Sequence, residues 1–76
     1  MEYIIYNKKL PKSKLEELKI EISKQCKIGK NVKIYSGCCL YGNCLIEKDV
    51  VLGHNSILEN ATIGEGTNIK SSYVEN

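Results

Sequence analysis

From residue 22 to residue 58 an aliphatic side chain returns every six positions without a miss: Ile22, Ile28, Ile34, Leu40, Ile46, Leu52 and Leu58. The series continues at Ile63, Ile69 and Val74, with two of its steps shortened to five. A period of six matches neither the 3.6-residue turn of a helix nor the two-residue alternation of an ordinary strand. It is the period of a solenoid in which short parallel strands are wound into stacked coils.

Two further columns keep the same register. Counting the aliphatic residue as first, the fifth position reads Cys26, Val32, Cys38, Cys44, Val50, Ser56, Thr62 and Thr67, all small or β-branched and none charged. The fourth reads Asn31, Gly37, Asn43, Asp49 and Asn55, the residue types that best tolerate a left-handed backbone, so each hexad supplies its own corner. Glycine recurs second, at Gly29, Gly53 and Gly64. First positions are therefore expected in the core, with fifth positions packed small beside them.

The pairs Ile28-Gly29, Leu52-Gly53 and Ile63-Gly64 resemble the Ile-Gly hallmark of hexapeptide-repeat acyltransferases. That resemblance implies an all-β solenoid, a left-handed parallel β-helix of about three coils with three hexads per coil. Residues about 18 apart then stack, giving the columns Ile22/Leu40/Leu58/Val74, Ile28/Ile46/Ile63 and Ile34/Leu52/Ile69. Residues 58–76, together with Ile-Tyr-Ser-Gly at residues 34–37, are similar to the acetyltransferase domain of one family in particular. Its members are bifunctional, acetylating glucosamine 1-phosphate and then uridylylating the product to UDP-N-acetylglucosamine. The resemblance spans residues 26–76 and covers only the first coils of that domain. The family's basic residues, histidine and tyrosine that bind sugar phosphate and acetyl-CoA have no counterparts here, nor has its glycine-rich nucleotide loop.

Ahead of the ladder, residues Glu2 to Tyr6 (Glu-Tyr-Ile-Ile-Tyr) form a β-branched and aromatic run that suits a short strand or an extended arm. Pro11 opens a helical segment in which Ser13 and Glu16 stand at capping-box spacing and Leu15, Leu18 and Ile22 form an apolar stripe. The helix is expected to end within residues 20–23. Residues 1–21 thus read as a strand and helix that cap the first coil of a solenoid over residues 22–76, covering apolar side chains and strand edges that the end of a solenoid exposes.

With 76 residues the chain buries little apolar surface, so a staple or a partner is expected. No secretory signal precedes Cys26, Cys38, Cys39 and Cys44, which places the chain in a reducing cytoplasm where thiols stay free and oligomerisation does the stabilising. The resemblance implies a homotrimer. Residues 1–33 carry nine lysines and four acids, while residues 34–76 carry two lysines and five acids. Arginine is absent, and without it the basic half reads as a solvated surface, not a nucleic-acid footprint. No apolar run reaches the length of a membrane span.

Candidate chemistry is sparse. His54, the single histidine, is the one catalytic candidate; the family's histidine serves as general base between subunits, yet His54 sits third in its hexad beside Asn55 and suits an exposed turn. No metal set is read, because Cys38, Cys39 and Cys44 lack paired C-x-x-C spacing and the register absorbs Cys26, Cys38 and Cys44 as small core residues. Cys26 and Cys44, 18 apart, should stack within disulfide reach; the direction of Cys39 is left open. Tyr35 and Tyr41 occupy outward second positions on neighbouring faces and are the interface candidates, weighed against two ordinary surface tyrosines.

Three functions stay open. The first is a non-catalytic trimerising scaffold serving a partner enzyme of sugar-nucleotide metabolism, without a cofactor. The second is an acetyl-CoA-dependent acetyltransferase of cell-wall precursor synthesis, or a piece of one, using His54 across a subunit interface. The third, a small ligand-binding or cysteine metal protein, trails both.

Overall fold

A computed structural model describes residues 2–75. Eleven short strands and one helix follow in order: β1 (Tyr3–Ile5), α1 (Lys12–Glu17), β2 (Glu21–Ile22), β3 (Lys27–Ile28), β4 (Lys33–Tyr35), β5 (Cys39–Tyr41), β6 (Leu45–Ile46), β7 (Val51–Leu52), β8 (Ile57–Glu59), β9 (Thr62–Ile63), β10 (Asn68–Ile69) and β11 (Tyr73–Glu75). They form three sheets, ordered β1-β4-β7-β10, β11-β8-β5-β2 and β3-β6-β9. Consecutive strands from β2 onward move from sheet to sheet, and the chain returns to its starting sheet every third strand. The result is a parallel β-solenoid of about three turns.

The stacking columns are those that the six-residue ladder specifies. Ile22 pairs with Leu40, Leu40 with Leu58, and Leu58 with Val74. Ile28 pairs with Ile46 and Ile46 with Ile63. Ile34 pairs with Leu52 and Leu52 with Ile69. Each first-position side chain thus meets its own kind one coil away, and Ile34, Leu40, Ile46, Leu52 and Leu58 are fully buried. Burial of this stacked aliphatic interior is the main stabilising term, at about 25 cal/mol per Å² of apolar surface removed from water.

The fifth position holds its place with one correction. Val32, Cys38, Cys44, Val50 and Ser56 are buried, but after Leu58 the buried small residue is Ala61, while Thr62 is exposed and pairs outward-facing with Leu45. The residue missing from this hexad is therefore lost before Ala61, at the corner. Cutting a corner costs no strand pairing, whereas shortening the strand would turn Ile63 out of the core. Ile20, upstream of the ladder's start, is buried in the position that Cys38 and Ser56 occupy in later coils.

The corners carry left-handed backbone at Asn31 (φ 59°), Gly37 (82°), Asp49 (61°) and Asn55 (59°), as their residue types suggest. One corner differs: Gly42 (69°), not Asn43, takes the left-handed turn. The reason lies one coil on. Asn60 (φ 51°) folds its side chain over Gly42, where Oδ1 accepts a hydrogen bond from the Asn43 amide at 2.9 Å. A Cβ at Gly42 would collide with that same Oδ1, and a Cβ at Gly37 would collide with Asn55 Oδ1. Asparagine above glycine is thus a repeated corner device. Asn31 Nδ2 donates to Asp49 Oδ1 at 2.8 Å in the same manner.

The N-terminal segment departs from expectation in two ways. Helix α1 is six residues long, with Pro11 at its N-cap and no side-chain cap, so the Ser13/Glu16 capping box does not form. It stops early because Lys19 turns left-handed (φ 57°): the Lys19 amide donates to Glu16 O and the Ile20 amide to Leu15 O, the paired bonds of a Schellman ending. That turn releases Leu18 and Ile20 into the core, while Ile22 enters a strand instead of extending a helical stripe. The arm itself is a strand. β1 runs antiparallel to β4, with Ile4 opposite Ile34 and buried, and so covers the edge of its sheet. Within the expected segments 1–21 and 22–76, Met1 and Asn76 lie outside the described residues. Among the described residues no helix is long and apolar enough to cross a membrane.

Candidate functional site

His54 stands at the corner that follows β7, and the coil geometry sets its neighbours. Ser36 occupies the equivalent corner one turn earlier, and its Oγ lies 3.1 Å from His54 Nδ1. The antiparallel β1 brings a second partner that the ladder does not contain. The Ser36 amide donates to Glu2 O at 2.8 Å, and this places the Glu2 carboxylate 3.7 Å from His54 Nε2. The Tyr35 ring meets the imidazole edge-on at 4.8 Å between centroids, and Tyr3 lies tilted against Tyr35 at 5.1 Å. Lys33 Nζ sits 4.6 Å over the Tyr3 ring. The histidine stands at a turn and is 41% exposed, with polar and aromatic groups on its covered side.

Beside it lies a cleft of about 270 Å³, lined by Tyr35, Val51, His54, Asn68, Lys70 and Ser71 among others. Gly53 floors it for a packing reason: a Cβ there would meet Ile69 O at 2.8 Å, so only glycine lets the third coil close on the second. The Ser36–His54 contact has the length of a hydrogen bond that orients an imidazole. The 3.7 Å separation from Glu2 is too long for a direct hydrogen bond, and the carboxylate is solvent-exposed, so screening keeps that attraction weak. One histidine nitrogen is held, and the other faces a carboxylate.

The two tyrosines reach different environments. Tyr35 points outward from β4 but is half-buried, because its cross-strand neighbour Tyr3 on β1 and His54 one coil on pack against its ring. Its expected exposure is reduced because the arm adds a strand beside it, with Tyr3 in register. Tyr41 remains exposed on the outward face of β5. It shares that face with Cys39, whose direction is now fixed: outward, since Leu40 between them points in. Donation from the Tyr41 hydroxyl to Cys39, with the negative charge that Cys39 and Glu21 would carry, pushes the Tyr41 phenol up.

All four cysteines are free thiols. Cys38 and Cys44 are buried, and their sulfurs lie 3.1 Å from Gly53 O and 3.3 Å from Tyr41 O. Cys26 lies one coil from Cys44, with its amide neighbour Lys27 donating to Cys44 O at 2.9 Å. Burial raises the pKa of Cys26 and of Cys38, which keeps both as thiols at neutral pH. Among the described residues no group of three or more His, Cys, Asp or Glu side chains converges to hold a metal ion.

The repeat pattern did not single out Ser36 and Glu2 as neighbours of His54, nor Lys70 as a residue of the same cleft. Ser36 was within reach, because it precedes His54 by one 18-residue turn. Glu2 carried no such signal, since its antiparallel strand lies outside the repeat. Compared with known families, residues 25–60 match the one described as bacterial transferase hexapeptide (six repeats). Searches of curated proteins and of solved structures return no match.

Proposed function

With bacterial-transferase hexapeptide repeats over residues 25–60 and a solenoid built on them, we propose that this chain is a non-catalytic scaffold related to acyltransferases. In this reading it is a cytoplasmic homotrimer akin to the acetyltransferase half of the UDP-N-acetylglucosamine enzyme, and it assembles a separately encoded enzyme of sugar-nucleotide metabolism. The observation that carries the reading is the engagement of His54. Nδ1 lies within hydrogen-bond distance of Ser36, Glu2 stands 3.7 Å from Nε2 and the ring edge meets Tyr35, so the contacts of the single imidazole are structural ones within its own chain. Self-association supplies the stability that a three-turn core lacks alone.

A second reading rests on the same cleft. His54, oriented by Ser36 and sharing a cleft with Lys70, has the elements of a general base and a cation on one site, which favours an acetyl-CoA-dependent acetyltransferase completed by a second subunit. Acetyl-CoA turnover with glucosamine 1-phosphate separates the two. The scaffold reading expects no turnover by the wild-type chain; turnover that disappears in His54→Ala overturns it in favour of the enzyme.

A further inference from the structure

The outward face of the sheet β11-β8-β5-β2 joins exposed apolar side chains to unpaired carboxylates. Tyr41 is 45% exposed, Ile57 38% and Tyr73 61%, three large apolar groups on one flat surface. Strand register puts Ile57 directly beside Cys39 on one side and Tyr73 on the other. Tyr41, Glu59 and Glu75 form the parallel row, and Glu21 adjoins Cys39. Glu59 and Glu75 are therefore like charges in direct cross-strand register, an arrangement that repels. The Tyr73 hydroxyl reaches both, at 2.9 Å to Glu59 and 3.4 Å to Glu75, but a phenol adds no positive charge. Among the described residues, the ion pairs within 4 Å are Lys14–Glu17 and His54–Glu2, so these three carboxylates have no cation of their own.

The missing positive charge is elsewhere on the same chain. Nine of the lysines lie within residues 1–33. On the outward face of the sheet β3-β6-β9, Lys27 pairs in register with Leu45, which is 40% exposed, and Lys24 precedes it at an exposed corner. That face offers an aliphatic contact with lysines around it and Glu47 at its edge. It complements an aromatic face that carries carboxylates.

We propose that the Tyr41/Ile57/Tyr73 face, with Glu59 and Glu75, docks a second copy of this chain through the lysine-bearing face around Lys27 and Leu45. The inference deepens the homotrimer reading and rests on it. The contact is heterologous, because pairing the acidic face with its own copy would set Glu59 and Glu75 against their mates. A heterologous contact whose rotation closes makes a ring. Apolar area gives the affinity, and the opposite charges select the partner face.

Charge reversal tests it by light scattering. Wild-type chain is compared with Glu59→Lys/Glu75→Lys and with Lys24→Glu/Lys27→Glu, with circular dichroism to verify the fold. We expect each double variant alone to fall to the single-chain mass, and an equal mixture to re-associate because each variant's charges complement the other's, but into species with an even number of chains, since a ring of three cannot alternate two variants. Glu59→Gln/Glu75→Gln serves if the lysine pair does not fold, and should weaken assembly at least tenfold in concentration. An oligomeric wild type whose mass survives these substitutions overturns this face while leaving the trimer standing. A wild type at single-chain mass overturns both.

Discussion

His54 Nδ1 is held 3.1 Å from Ser36 Oγ, across one turn of the coil. Both groups are partly exposed, so the bond is a modest contributor, within the roughly 0.5–1.5 kcal/mol of a typical net hydrogen bond. Ser36→Ala and His54→Ala should each lower stability by about 1 kcal/mol or less, measured by urea unfolding. Because the two share one interaction, the double variant should lose less than the sum. Full additivity would show that the residues act separately.

Gly37 and Gly66 separate backbone strain from collision. Both are left-handed, at φ 82° and 76°, but a Cβ at Gly66 meets nothing within 4 Å, whereas one at Gly37 meets Asn55 Oδ1. Gly66→Ala should cost only the left-handed penalty, about 1–2 kcal/mol. Gly37→Ala should cost more, since Asn55 must also abandon its place, and Gly37→Ala with Asn55→Gly should recover part of the loss.

Core position sets a third contrast. Leu40 is fully buried between Ile22 and Leu58, whereas Val74 closes the same column and is only half-buried. Leu40→Ala should cost about 2–5 kcal/mol, a large share of the stability of a small domain, and lose the folded signal at room temperature or near it. Val74→Ala should remain folded with a smaller drop in Tm.

Tyr73 gives the pH dependence. Its hydrogen bond to Glu59, with the charges of Glu59 and Glu75, raises the phenol from 10.0 to about 12. The folded state thus keeps a proton that the unfolded state releases first. The contribution is fully present below pH 10.0 and is lost as pH climbs through about 12. Ultraviolet titration should show a late step near pH 12 beyond that of Tyr41, whose phenol is also raised, and Tyr73→Phe or Glu59→Gln should remove that late step. A late step that persists in Tyr73→Phe contradicts the assignment.

The stacked columns were legible because a core side chain every six residues leaves the chain one way to keep all of them inside. Ile28 over Ile46 and Ile34 over Leu52 follow from counting alone. Corners were less legible, because several residue types tolerate a left-handed turn: Gly42 takes the place of Asn43 once Asn60 stacks above, and that preference belongs to the pair. Helix α1 was overextended because Lys19, at the turn that ends it, is an ordinary helix former. The surroundings of His54 were only half visible. Ser36 lies within the repeat, but Glu2 and the Tyr3 ring beside Tyr35 come from an antiparallel strand distant in sequence, which no local pattern announces.

The mass of the wild-type chain in solution tests the scaffold account most directly. Light scattering across a range of concentrations should give three times the 8.6 kDa chain mass. A single species at 8.6 kDa throughout that range would contradict it.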